Sequence, residues 1–102
     1  MPTIEQLENL LKRDPNDAFL NFGLAMQLAK EQRLEESLAR FDHVIRLDPA
    51  YTAAFHQKGI ALIGMQRLQD AREVLQRGID AARRVGNGHA EAEMSELLSS
   101  IA

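Results

Sequence analysis

The residues that could support catalysis or metal binding are few and scattered along this chain of 102 residues. It contains no cysteine and three histidines, His43, His56 and His89. Without cysteine there can be no thiolate nucleophile, no disulfide and no cysteine-type zinc site. None of the histidines stands in a His-x-x-x-His or Glu-x-x-His spacing, which would bring two metal ligands to one face of a helix. The sequence therefore predicts neither a metal nor a cofactor.

One glycine-rich stretch, Gly86-Asn87-Gly88, has the composition of a phosphate-binding loop. Such a loop follows a strand and is completed by a lysine, and neither feature surrounds this stretch. Glycine is also typical of the position just after the end of a helix. We interpret the stretch as a helix stop, and we predict that the chain is not an enzyme.

The charge distribution does not favour nucleic acid. The formal net charge is −3, so no global field attracts polyanions. A partial row of arginines follows residue 66, and Glu73 and Asp80 interrupt it. Two of these arginines, Arg83 and Arg84, lie near the predicted C-terminal end of a helix, where cations stabilise the helix by offsetting its dipole. The row consists of Arg67, Arg72, Arg77, Arg83 and Arg84.

Nothing in the sequence indicates a membrane protein. No apolar run approaches the length of a membrane span. The opening stretch MPTIEQLENLLKRDP lacks a basic region and carries acidic residues within its apolar pattern, unlike a signal peptide. We therefore expect no membrane association and a cytoplasmic location.

An internal repeat of 34 residues indicates which elements position the side chains. Asp14-Pro15 recurs as Asp48-Pro49, and Gln32-Arg33-Leu34 recurs as Gln66-Arg67-Leu68. Between these breaks, apolar residues fall at helical spacing, which predicts an all-α chain of six helices and no strand. The predicted breaks lie near 14–16, 31–33, 48–50, 65–67 and 86–88.

Small and large apolar residues recur within each predicted helix pair. Small residues are expected where two antiparallel helices cross closely. The second pair carries Phe55, Gly59, Leu62, Ala71 and Leu75. The first carries Leu24, Ala25, Leu28, Ser37, Phe41 and Pro49. In residue class and spacing, both sets resemble the tetratricopeptide repeat (TPR) family. Three positions depart from the pattern, because Asn21 replaces an aromatic residue, Lys58 a leucine and Arg83 a proline.

The resemblance implies a fold and a division of the chain. TPR proteins are α-solenoids of antiparallel helix pairs with right-handed superhelical stacking. Residues 1–102 would form one TPR-like domain. It would comprise a half-repeat helix at 3–15, full repeats at 18–51 and 52–85, and a capping helix at 89–101.

The resemblance also implies a non-enzymatic protein-interaction module, because members of the family bind peptides or proteins. In the family, the first helix of each pair lines the concave surface. Here the first helices, 17–30 and 51–64, are apolar on more than one side, which is typical of a helix that is covered by something. The predicted partner-binding residues are Phe19, Phe22, Met26, His56, Gln57, Ile60 and Ile63.

Three interpretations of this apolar row stay open. It could be covered by helix 89–101, by a second copy of the chain, or by a peptide of an unknown partner. Chaperone-binding members of the family hold a peptide carboxylate with Lys, Asn and Arg, whereas Lys30 and Lys58 are the only cations expected near this groove, at its edges. A peptide ligand would therefore be anchored by apolar side chains.

Overall fold

A computed structural model describes residues 2–102, and within that range every regular element is an α-helix. The prediction of six helices without a strand is confirmed. Successive helices pack against each other in antiparallel pairs, and α2 and α6 each also contact α4. The helices are α1 Ile4–Arg13, α2 Ala18–Lys30, α3 Leu34–Leu47, α4 Thr52–Gly64, α5 Leu68–Arg84 and α6 Gly88–Ser100.

Local side chains fix the beginnings of the first two helices. The Thr3 hydroxyl accepts a hydrogen bond from the Gln6 amide, and the Gln6 side chain accepts one from the Thr3 amide, so the two residues form a capping box. At α2 the cap is Asp17, whose carboxylate accepts from the Leu20 amide at 2.8 Å. Pro15 lies in the turn that precedes this cap.

The repeated glutamines explain the repeated breaks after α2 and α4. Gln32 and Gln66 have φ of 63° and 60°, the left-handed conformation that commonly ends a helix. The next amides, of Arg33 and Arg67, reach back to helix carbonyls at 2.9 Å in both cases. The same backbone turn is therefore built twice, and Gly86, with φ of 73°, adopts the left-handed conformation in the break after α5.

The buried apolar side chains form two clusters. The smaller one joins α1 to the outer side of α2 through Leu7, Leu11, Leu24 and Leu28, with Ile4. The larger one runs through α2, α3, α4, α5 and α6 and includes Phe41, Leu75 and Met94. Because this cluster is continuous, each helix pair completes the core of its neighbour.

The departures from the TPR pattern have visible structural consequences. Asn21 is fully buried, and its amide donates to the carbonyls of Pro15 and Asp17 while its oxygen accepts from Arg40. Lys58 forms an ion pair with Asp42. Helix α5 continues through Arg83, where the TPR pattern has a proline, and Arg83 pairs with Glu91 of α6 at 2.6 Å.

Candidate functional site

Three of the seven predicted binding residues line one cavity between α2 and α4. Met26 comes from α2, and Gln57 and Ile60 come from α4. The cavity has a volume of about 470 Å³ and opens to the surface, and α3 contributes Phe41 and Leu34 to its wall. We call it the α2–α4 groove. Its other lining residues are Gln27, Ala29, Lys30, Gln32, Ala61 and Gly64.

The groove is mainly apolar, and part of its lining is accessible. Ile60 is 45% exposed, although the preceding residue, Gly59, packs closely against the Leu75 side chain. Met26 is partly buried and packs against the main core. A groove with an accessible aliphatic side chain and a soft thioether can accommodate apolar side chains of varied shape.

Phe22 is positioned differently from the accessible groove residues. Its ring lies 5.9 Å from that of Phe41 and 5.1 Å from that of Tyr51, so it belongs to a partly buried aromatic cluster. Burial raises the pKa of the Tyr51 phenol, and the carboxylates of Asp17 and Asp48 raise it further. This cluster joins α2 and α3 to the start of α4 and holds the two groove helices together.

His56 faces the neighbouring helix rather than the α2–α4 groove. It lines a separate shallow depression of about 320 Å³ between α4 and α6. Ile63 is partly buried against the main core. The structure therefore brings Met26, Gln57 and Ile60 together and places His56 apart from them. The other residues of the depression are Glu93, Glu96, Leu97 and Ser100 of α6.

Phe19 is the most exposed of the large apolar side chains, at 73%. It lies in the first turn of α2 and does not line the groove. Helix α6 covers neither Phe19 nor Ile60, because both are exposed with α6 in place. The interpretation in which helix 89–101 covers the whole row therefore fails for these two residues.

One lining residue was not anticipated from the sequence. Gln27 is only 7% exposed, and its Nε2 has no hydrogen-bond partner among the described residues. The sequence did carry a signal, because Gln27 interrupts the otherwise apolar run from Leu24 to Ala29. Most buried side-chain amides in folded proteins have a hydrogen-bond partner, so Gln27 is an exception.

The cations around the groove also differ from expectation. Lys30 lines the groove, as predicted for its edge. Lys58 does not, because it lines a more polar cavity with Asp42 of α3 and Asp70 of α5. Several of the arginines after residue 66 are paired within the chain: Arg67 bonds Glu35 and Asp70, and Arg72 donates to the Ile101 carbonyl.

The placement of the side chains and the character of the helices bear on metal binding and on membrane insertion. Within residues 2–102, no group of three or more His, Cys, Asp or Glu side chains is placed to hold a metal ion. Over the same range, no helix combines the length and the apolar character needed to cross a membrane.

Comparison with known proteins identifies relatives of the whole chain. No family model matches the sequence. A TPR repeat-containing protein of Pseudomonas aeruginosa is 29% identical over 98 residues, which cover 96% of this chain and 93% of that protein. A tetratricopeptide repeat domain protein from Salinibacter ruber matches 86% of this chain and 89% of its own, with a TM-score of 0.81 and 26% identity.

A second solved structure resembles this one over nearly its full length. The TPR2B domain of yeast Sti1, solved in complex with pHsp70, has a TM-score of 0.89 and 26% identity and covers 96% of this chain and 78% of its own. The six antiparallel helices, the recurring helix stops and these relatives agree. The chain has the all-α, TPR-like fold of these relatives.

Proposed function

We propose that this chain is a non-enzymatic protein-binding module that holds a peptide segment of its partner in the α2–α4 groove. The observation that carries the proposal is the accessible apolar lining of the groove. Ile60 is exposed there, beside Met26, around a cavity of about 470 Å³. Apolar side chains gathered around a cavity of this size are typical of binding surfaces.

The relatives support a protein partner in general. The Sti1 domain that is similar to this chain was solved as a complex with pHsp70. The groove of this chain is lined by apolar side chains, three glutamines and a single cation, Lys30, whereas chaperone-binding TPR proteins hold a peptide carboxylate with Lys, Asn and Arg. A partner peptide would therefore be anchored chiefly by burial of an apolar side chain in the groove.

The predicted site residues take different roles in this proposal. Met26, Gln57 and Ile60 would contact the peptide directly, since they line the groove. Phe22 would support the groove from its aromatic cluster, and Ile63 from the edge of the core. His56 would extend the surface towards α6.

Self-association through the same surface is the second candidate. Phe19 favours it, because its exposed ring lies outside the groove and would be left uncovered by a short peptide. A second copy of the chain could cover Phe19 and Ile60 in one interface, which is how symmetric dimers bury apolar patches.

The proposal includes the division of the chain into repeats. Residues 18–51 and 52–85 would be full repeats, 3–15 a half-repeat and 89–101 a capping helix. The packing of α6 supports this division, because it buries Met94 against Gly78 of α5 and Phe55 of α4. A helix in that position shields the apolar end of the stack.

The test compares a variant that introduces a charge into the groove with a matched control variant that introduces the same charge elsewhere. Ile60→Asp places a carboxylate in the groove, whereas Val85→Asp places one at the similarly exposed Val85, outside it. A random-peptide phage library is panned on the unmodified chain, and the selected peptides are measured on both variants, whose helix content is checked by circular dichroism. We expect binding to be lost in Ile60→Asp and kept in Val85→Asp.

The same variants separate the two candidates. Light scattering after size exclusion gives the mass in solution. A dimer that becomes monomeric with Ile60→Asp would support self-association. Peptides that bind a folded Ile60→Asp chain as tightly as the unmodified chain would contradict a groove site.

A further inference from the structure

The buried amide of Gln27 is the least satisfied polar group among the described side chains. Its Nε2 has no hydrogen-bond partner, and the residue is 7% exposed. Leaving a buried N–H group unpaired costs free energy, and nearly all such groups in folded proteins have a partner. A ligand that enters the adjoining groove could supply the missing acceptor if the amide turns towards it.

The fold itself does not require glutamine at this position. The equivalent position of the next helix pair, 34 residues later, is Ala61, which is buried in the same groove wall. An apolar residue therefore satisfies the helix packing there. Gln27 consequently introduces an unfavourable polar group that packing alone does not explain.

The surroundings of Gln27 define what could reach it. It lines the α2–α4 groove together with the apolar side chains of Met26 and Ile60, and with Lys30 one turn further along α2. The terminal torsion of a glutamine side chain is soft, so its amide can turn towards the cavity without disturbing the helix. An acceptor placed in the groove would then meet both an amide donor and, nearby, an ammonium group.

We infer that the groove binds a peptide in which an aliphatic side chain fills the cavity beside Met26 and Ile60. A backbone carbonyl of that peptide accepts a hydrogen bond from Gln27 Nε2, and an adjacent acidic side chain faces Lys30. The inference rests on the proposed function and specifies its ligand: an aliphatic residue next to a carboxylate. Main-chain recognition of this kind fixes the register of a bound peptide, while the cavity selects its side chain.

The probes are capped tetrapeptides at millimolar concentration, titrated into the full chain labelled with ¹⁵N. Acetyl-Gly-Leu-Glu-Gly-amide is the test peptide. Acetyl-Gly-Ala-Glu-Gly-amide removes the aliphatic anchor, and acetyl-Gly-Leu-Gln-Gly-amide removes the carboxylate. We expect the leucine–glutamate peptide to shift the side-chain amide resonances of Gln27 saturably, and each control peptide to bind more weakly.

The decisive variant is Gln27→Met, which keeps the length and flexibility of the side chain and removes the amide. Gln76→Met, on the exposed face of α5, is the matched control. We expect Gln27→Met to keep or raise the thermal midpoint, because an unpaired buried amide is lost. We expect its Kd for the leucine–glutamate peptide to rise about three- to tenfold, the equivalent of one hydrogen bond.

The outcomes separate this inference from the proposed function. Binding that is lost with Ile60→Asp but unchanged with Gln27→Met would support the groove as the binding site and would contradict a hydrogen bond from Gln27 to the peptide. A leucine–glutamate peptide that does not bind the unmodified chain would also overturn the inference. The proposed function would then be decided by the peptides selected from the phage library.

Discussion

The α2–α3 pair and the α4–α5 pair show how one backbone arrangement accepts two kinds of interior. Asn21 and Phe55 occupy equivalent positions 34 residues apart, and both are buried. Asn21 is held by hydrogen bonds to the turn before α2 and to Arg40. Phe55 is held by packing, with the Arg77 guanidinium 5.5 Å from its ring centroid. The first pair therefore uses a polar network where the second uses an aromatic side chain.

The helix crossings differ in the same way. In the first pair the Ser37 hydroxyl donates to the Ala25 carbonyl at 2.9 Å, which ties the two helices together. In the second pair Gly59 lies so close to Leu75 that a Cβ there would be 2.6 Å from its Cδ2. Small residues at the crossing are thus required in both pairs, but a hydrogen bond holds one crossing and a close apolar contact holds the other.

The third contrast concerns the outer side of each pair. Val44 in α3 is fully buried, and its equivalent in α5 is Gly78. A Cβ at Gly78 would be 2.5 Å from the Met94 Sδ and 2.6 Å from the Phe55 Cβ. The missing side chain of Gly78 therefore leaves the space that the thioether of α6 fills. Docking of α6 depends on a glycine that the first pair does not have.

The largest predicted effect distinguishes the aromatic position from the polar one. Phe55→Ala should lower the free energy of unfolding by about 3–5 kcal/mol, because it opens a cavity in the main core. Asn21→Ala should cost less, about 1–3 kcal/mol, since it removes hydrogen bonds rather than a large packed side chain. Urea unfolding of both variants measures the difference. Equal losses would show that the two positions are not energetically distinct.

An exchange between the pairs gives a smaller effect. Gly78→Val installs the side chain of the first pair in the second, and it should cost about 1–3 kcal/mol, because both Met94 and Phe55 lie too close to the added side chain. Gly64→Ala is the control, because a Cβ there meets nothing within 4 Å. That variant should be neutral or slightly stabilising, as alanine favours helix. A Gly78→Val chain as stable as its parent would contradict the docking of α6 described above.

The smallest effect concerns the hydrogen-bonded crossing. Ser37→Ala should cost about 0.5–1.5 kcal/mol, because it removes the bond to the Ala25 carbonyl and leaves the packing of the helices in place. Alanine already occupies the equivalent position of the second pair, Ala71, without a hydrogen bond of this kind. Thermal unfolding is the measurement, and a loss as large as that of Phe55→Ala would mean that the hydroxyl positions more than one crossing.

The sequence was sufficient to predict the helices and their order. Helical periodicity and the repeated Asp-Pro and Gln-Arg-Leu stops depend on residues close in sequence, so each helix could be bounded to within a few residues. The TPR resemblance then supplied the pairing of helices, because a recurring period allows each unit to pack on the next in one way.

The candidate site was only partly predictable. Met26 and Ile60 were expected to face the groove because they recur at equivalent positions of the first helices, and they line one cavity. Phe22 and His56 satisfied the same spacing. Their surroundings, however, depend on side chains contributed by α3 and α6, which no pattern within one helix reports.

The sequence by itself determined the helix boundaries, the repeat and the class of fold, because these follow from local periodicity and helix-ending residues. Only the tertiary structure decided which polar residues are paired. Asn21 and Gln27 are both buried polar residues of α2, yet within residues 2–102 Asn21 has three hydrogen-bond partners and Gln27 Nε2 has none. The reason is physical: whether a buried amide is satisfied depends on which distant backbone and side chains reach it, and those are fixed when the helices pack.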